Sequence, residues 1–468
     1  MTQFSMLING ELAASSKGFD VINPADESII CQAPDASDQH LDKAVNAAQC
    51  AFPQWSQTSF RERGEVLRAI AAVIKQNAAE LIDILVTEQG KPKALATGEV
   101  LMAANGLETK STMQISPEVL KDDAESRVEL HHRPLGIVAA IAPWNFPLGI
   151  GISKFANPLM AGCPVVLKPS PNTPLSTLRL GELIKDVVPK GVLNIISGGD
   201  SLGPKLTAHS GIAKIFFTGS TQTGKKIMQG AGQDLKRITL ELGGNDAAIV
   251  LEDADIAKIA QPLFQACFIN SGQTCVAIKR VYVHESMYEP LVGALAAIAK
   301  KTKVGPGMEP DSQLGPIQNR MQYEKVLSVL EEVKKTDARI VAGGSPSSGK
   351  GFFLDPTIVT NIKEGSCLVD EETFGPILPI IAYRDLDEVI DRANDTAYGL
   401  GGSVWGNDVE RATEVAGRLN CGTAWVNQHL VFGPNIPFGG AKQSGIGVEG
   451  GIEGLKEFTQ AQVLNIKK

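Results

Sequence analysis

Paired cysteines and clustered histidines are missing from this sequence. Its six histidines form no group, and its seven cysteines (31, 50, 163, 267, 275, 367 and 421) show no C-x-x-C spacing. The pattern argues against a structural zinc site or a disulfide framework, so no metal is expected, and a reducing, cytoplasmic compartment fits. Basic excess is missing too. The net charge is −8, and the 44 lysines and arginines are scattered, which argues against a nucleic-acid partner. Residues 1–18 lack a basic segment followed by an apolar core, so no secretory signal is expected. The uncharged stretch 135–153 is interrupted by Pro143, Asn145 and Pro147, so it does not read as a membrane span. No internal repeat or low-complexity segment is seen.

What remains is an ordinary globular composition, 43% hydrophobic and 21% charged, in 468 residues, enough for two or three domains. Residues 61–90 read as one amphipathic helix, with Leu67, Ile70, Ile74, Leu81 and Leu85 at helical spacing and Gly90 and Pro92 ending it. From 136 to 251 short apolar runs (137–141, 164–167, 192–196, 215–218, 238–242 and 247–251) alternate with helical segments at 176–187 and 221–231. Strands apolar throughout and separated by helices predict an α/β fold whose parallel sheet is covered on both faces. Such sheets bind ligands at the carboxyl ends of their strands. A second alternating region follows over 256–430, with helices near 286–301, 319–335 and 385–394. The charged stretch 122–132 reads as a protruding hairpin.

Cys275 stands in Asn270-Ser271-Gly272-Gln273-Thr274-Cys275, among small and amide residues that leave a thiol accessible. Upstream, Glu241 is the single charge in Leu240-Glu241-Leu242-Gly243-Gly244. A nucleophilic thiol and a carboxylate that activates water make one reading. A packed cysteine and a salt-bridged glutamate make the other. Gly219 to Lys226 follows a strand and opens a helix, close to a P-loop, but Lys226 stands where Ser or Thr would hold Mg²⁺. It is either a phosphate-binding turn or a plain strand-to-helix turn. Gly199-Asp200-Ser201-Leu202 matches a serine-hydrolase tetrapeptide without a His-bearing partner motif downstream. Pro143-Trp144-Asn145-Phe146-Pro147 stiffens a loop around an amide that either serves an oxyanion or satisfies local backbone. Lys168, at a strand's carboxyl end, either reaches a ribose or phosphate or is simply solvated.

Taken in order, these motifs resemble the aldehyde dehydrogenase superfamily over nearly the whole chain. The matching landmarks are Pro143-Trp-Asn-Phe-Pro147, Lys168-Pro-Ser170, Phe217-Thr-Gly-Ser-Thr221, Leu240-Glu-Leu-Gly-Gly244, Asn270-Ser-Gly-Gln-Thr-Cys275, Glu372-Thr-Phe-Gly-Pro376 and Pro437-Phe-Gly-Gly440. The resemblance implies a Rossmann-like cofactor-binding domain (1–115 and 135–243), an α/β catalytic domain (244–443) and a small β oligomerisation element (116–134 and 452–468). It implies NAD or NADP as cofactor, a small-molecule aldehyde as substrate, and a homodimer or homotetramer.

The resemblance also implies roles. Cys275 attacks the carbonyl, the Asn145 amide and the Cys275 N–H hold the oxyanion, Glu241 activates water, and Lys154 joins the proton path. Trp144, Lys168, Ser170, Gly219, Ser220, Gly224, Leu242, Glu372 and Phe374 serve the cofactor. NAD-preferring members often carry a Glu where Pro171 stands, so acceptance of NADP is expected. Phe146, Ser153, Phe268, Ile269, Phe432 and Phe438 line an apolar substrate funnel without Arg or Lys. An uncharged aldehyde is expected, with a carboxylated semialdehyde as the alternative. Lys279 and Arg280 are the basic residues whose folding into the funnel would favour that alternative. A P-loop hydrolase, a serine hydrolase and a non-catalytic dinucleotide binder are the competing functions.

Overall fold

The structure, a computed structural model, describes residues 4–468. Five parallel strands form the middle of an eight-stranded sheet, in the order Arg237–Glu241, Lys214–Thr218, Val138–Ile141, Val165–Lys168 and Leu193–Ile195. Their side chains are buried almost without exception, as a sheet with helices on both faces requires. Five of the six expected strands lie within a residue or so of these bounds; the sixth, 247–251, is Asp246–Val250 and belongs to the second sheet. Met6–Ile8 and Glu11–Ala13 add an antiparallel edge on one side, and Gly445–Ile446 adds one on the other, pairing with Leu240 and Glu241.

Residues 61–90 form two helices rather than the expected one: Phe60–Gln76 and Ala78–Gln89. Asn77 breaks them, at φ −110° and ψ 20°, with its side-chain amide donating to the Val73 carbonyl at 2.8 Å. A short amide that bonds nearby backbone competes with the helical ladder, while the apolar spacing runs on undisturbed across it. Gly90 ends the second helix at φ +90°, a conformation that favours glycine.

A second sheet of seven strands holds Asp246–Val250 in its interior, between Ile278–His284 at the centre and Gly401–Trp405. Only residues 242–245 link an outermost parallel strand of the first sheet, Arg237–Glu241, to Asp246–Val250. The site therefore lies where the carboxyl ends of the first sheet meet the start of the second. The third sheet pairs Glu118–Asp122 with Ser126–Pro134, and Ser126–Pro134 with Thr459–Lys467 over nine register pairs. The expected hairpin and C-terminal strand are these elements. Val119, Leu120, Val463 and Ile466 on this sheet stay exposed in the single chain. Among the described residues, no helix is long and apolar enough to cross a membrane.

Candidate active site

Asn145 sits in the loop between Val138–Ile141 and the helix Pro147–Ala161, which begins with proline at its first turn. Three buried side chains pin that loop. Asn145 itself donates from Nδ2 to the Gln273 carbonyl at 3.0 Å. Its own carbonyl accepts from Lys91 Nζ at 2.9 Å and Asn270 Nδ2 at 3.0 Å. Lys91 is ion-paired with Glu99, whose other carboxylate oxygen takes the Leu148 and Gly149 N–H groups at the start of the helix. A carboxylate there satisfies orphan donors and complements the helix dipole.

Cys275 follows a short turn, Ile269–Gly272, in which Asn270, Ser271 and Gly272 all take positive φ. Side chains lock this strained backbone: Ser271 donates to the Gly315 carbonyl at 2.7 Å, and Gln273 Nε2 donates to the Asn270 carbonyl at 2.8 Å. Beyond the thiol, Lys279 Nζ donates to the Cys275 carbonyl at 2.6 Å and the Thr274 carbonyl at 3.0 Å. His429 Nε2 donates to the Val276 carbonyl at 2.7 Å. Two glycines let these segments close up. A Cβ on Gly244 would meet the Cys275 carbonyl at 2.6 Å, and one on Gly243 would meet the Glu372 carboxylate at 2.3 Å.

Electrostatics pull the thiol two ways. Burial pushes Cys275 up to about 12, with Glu372, Glu241 and Asp246 adding to the rise and the Lys279 ammonium opposing it. Glu241 is 4% exposed, and neither of its carboxylate oxygens has a hydrogen-bond partner among the described residues. Burial, helped by the Glu449 carboxylate, holds it well above the usual carboxylate range, and Lys154 opposes that shift. Lys154 is fully buried, lies 3.5 Å from the centre of the Phe216 ring and is ion-paired with Glu449.

A cavity of about 850 Å³ runs from Cys275 along the strand ends of the first sheet. Its wall includes Asn145 and eight of the residues that the resemblance assigns to the cofactor: Trp144, Lys168, Ser170, Gly219, Ser220, Leu242, Glu372 and Phe374. Trp144 and Phe374 meet edge to face at 5.3 Å. Ser220 caps the helix Thr221–Ala231, accepting from the Thr223 N–H at 3.2 Å. Gly224 lies outside this wall: it is buried one turn in, where a Cβ would strike Leu242 at 2.5 Å. It serves the packing of helix on strand. The cavity's size, its glycine-lined turn and the helix N-terminus suit a dinucleotide, with Lys168 and Ser170 at one end and Glu372 and Phe374 at the other.

The expected substrate residues divide. Phe432 and Phe438 pack edge to face at 5.2 Å, and Phe432 is 48% exposed. Ser153 donates to the Ile150 carbonyl at 2.9 Å. Phe146 lies under Lys91, 3.8 Å from its ammonium. Phe268 and Ile269 line a second cavity of about 700 Å³, with Leu95, Phe264 and Asn270. Phe268 is also 1% exposed and packs on Phe264 in the core of the second sheet, which its apolar character serves as much as any ligand. Neither cation feared in the funnel is free: Lys279 is spent on backbone carbonyls, and Arg280 donates to the carbonyls of Asn245 and Ala393 at 3.0 Å.

Sequence reading missed Lys91, Glu99, His429 and Glu449, and it weighed Lys279 only as a funnel cation. Only the folded contacts reveal what these side chains hold. The decoys fall away in turn. Lys226 is exposed on the outer face of its helix, and Ser201 precedes the short helix Leu202–Ala208 without capping it.

A family model described as the aldehyde dehydrogenase family matches residues 12–464. A putative aldehyde dehydrogenase, FUS7, of Gibberella moniliformis is 39% identical, over 99% of each chain. Among solved structures, an NAD+ complex of an aldehyde dehydrogenase from Bacillus cereus is 36% identical with a TM-score of 0.97, covering 100% of this chain and 97% of that one. A betaine aldehyde dehydrogenase from Staphylococcus aureus in complex with NAD+ is 32% identical with a TM-score of 0.96, covering 99% of this chain and 94% of that one. The chain belongs to the aldehyde dehydrogenase family. It is an NAD(P)-dependent enzyme that oxidises aldehydes.

Proposed function

We propose that the enzyme converts uncharged, medium-sized aliphatic or aromatic aldehydes to carboxylic acids through a covalent intermediate on Cys275. The observation that carries this reading is Glu241: a buried carboxylate with no hydrogen-bond partner among the described residues, raised in pKa by burial and then by the Glu449 carboxylate, while the charge of Glu241 itself in turn raises the Cys275 thiol. A structural salt bridge would have given it a partner.

The Cys275 thiolate adds to the carbonyl carbon. The oxyanion is held by the Asn145 amide, swung from its rest on Gln273, and by the Cys275 N–H. One such donor contributes roughly 3 kcal/mol to lowering the barrier. The bound dinucleotide supplies the hydride acceptor that leaves a thioester on Cys275. Glu241 then takes a proton from water as that water attacks the thioester; the acyl C–S bond breaks, the acid is released and the thiolate returns on Cys275. The ion pair of Lys154 with Glu449 stands ready to relay the proton outward from Glu241.

Lys168, Ser170, Gly219 and Ser220 hold the adenosine and pyrophosphate side, while Trp144, Leu242, Glu372 and Phe374 border the nicotinamide side. Phe146, Ser153, Phe268, Ile269, Phe432 and Phe438 border the aldehyde's path. The exposed apolar residues of the third sheet support a homodimer or homotetramer built through segments 116–134 and 452–468. The absence of paired cysteines supports a cytoplasmic location.

Cys275→Ala tests the reading. Aldehyde-dependent NAD(P)H formation should vanish while cofactor still binds nearly as in the wild type. Substantial residual turnover would remove Cys275 from the role.

A further inference from the structure

Two sequence features have no place in the account so far: the tetrapeptide containing Asp200, and Pro171. The structure brings both into one wall of the larger cavity, beside Lys168, Ser170 and Asn172. The reason is topological. Val165–Lys168 and Leu193–Ile195 are neighbouring parallel strands, with Leu167 opposite Ile195. Lys168 ends the first, and Asp200 lies in the loop that follows the second. Both therefore stand at the carboxyl edge of adjacent strands, where such sheets take their nucleotides.

Charge at this end is unbalanced. Lys168 is the one cation of the group, and both Asp200 and Asp35 support its charged form against burial. Asp35 is committed, its Oδ1 accepting from the Gly199 N–H at 3.2 Å. Asp200 is exposed to the groove. One ammonium against two carboxylates leaves the corner acidic, and a phosphate monoester brings roughly two more negative charges. A ribose hydroxyl meets no such opposition and can donate to a carboxylate.

We propose that Asp200 selects the cofactor: it accepts from the 2′-hydroxyl of NAD+ and repels the 2′-phosphate of NADP+, a task the sequence leaves undone at Pro171. The proposal rests on the cavity being the dinucleotide site, and it reverses the expectation of ready NADP+ acceptance drawn from Pro171 alone.

The test is equilibrium binding, by calorimetry, of NAD+ and NADP+ to the full-length wild type and to Asp200→Asn. The wild type should bind NAD+ more tightly by about thirtyfold or more, and raising salt from about 50 to 500 mM should narrow that gap, because the repulsion is partly screened. Asp200→Asn should narrow it by about tenfold, chiefly through tighter NADP+ binding. Equal wild-type affinities, or an unchanged ratio in the variant, overturn the role of Asp200 while leaving the dinucleotide site intact. A wild type that binds neither nucleotide overturns the dinucleotide reading itself, and this proposal with it.

Discussion

The ammonium group of Lys279 holds the backbone carbonyl of Cys275 at 2.6 Å, so this buried cation beside the nucleophile is fixed by the peptide that carries it. Lys279 lowers the thiol's pKa, against burial and three carboxylates that raise it. The cofactor-free thiol is thus protonated at neutral pH, and alkylation by iodoacetamide should accelerate about tenfold per pH unit as pH rises toward its pKa. Lys279→Met should move that curve to higher pH. A curve that stays in place would show that Lys279 acts only on the loop's backbone.

Glu241→Gln should preserve a first-turnover burst of NAD(P)H and slow the steady state by roughly a hundredfold or more, because the base acts after hydride transfer. In the wild type the base works only when ionised, and its pKa is raised, so the deacylation rate should climb with pH through a limb well above the usual carboxylate range. Rapid-quench and stopped-flow measurements separate the two phases. Loss of the burst itself would place Glu241 in thiol activation.

Lys91→Met should cost about 3–5 kcal/mol of stability by stranding Glu99 as an unpaired buried charge. It should also free the Asn145 loop. Lys91→Met together with Glu99→Gln should recover much of the stability in thermal unfolding. Its kcat should remain depressed, since the Asn145 carbonyl has still lost its tether.

A panel of aldehydes should show higher kcat/KM for hexanal or benzaldehyde than for succinic semialdehyde. With Lys279 and Arg280 both bound to backbone carbonyls, a substrate carboxylate finds no free cation at the expected funnel residues. Apolar chains gain roughly 0.8 kcal/mol per buried CH₂. The reverse order would point to a cation elsewhere on the aldehyde's path.

The parallel sheet was legible in the sequence because its strands are apolar throughout, a pattern independent of what surrounds them. Cys275, Glu241 and Asn145 stood out as candidates because the short runs that hold them, taken in order, resemble one family, although each run alone left a structural reading open. The break at Asn77 was not, because the apolar face continues straight across it. Lys91 and Glu99 were also invisible. Their meaning lies in the Asn145 carbonyl and the helix start they hold, both far away along the chain. Gly224 misled because a glycine near a phosphate-type turn resembles a ligand contact, whereas here it makes room for Leu242. Asp200 was masked by a tetrapeptide suggesting another chemistry.

The two-residue strand Gly445–Ile446 pairs with Leu240 and Glu241, and Glu449 just beyond it reaches Lys154. This late segment thus seals the flank of the Glu241 carboxylate. During synthesis the first sheet's parallel strands emerge long before this piece does, and folding proceeds from the N-terminal side. A nascent chain can therefore carry the parallel strands and Cys275 while the flank of Glu241 is still open. A chain stopped upstream of 445 would lack both the edge strand beside Glu241 and the carboxylate paired with Lys154.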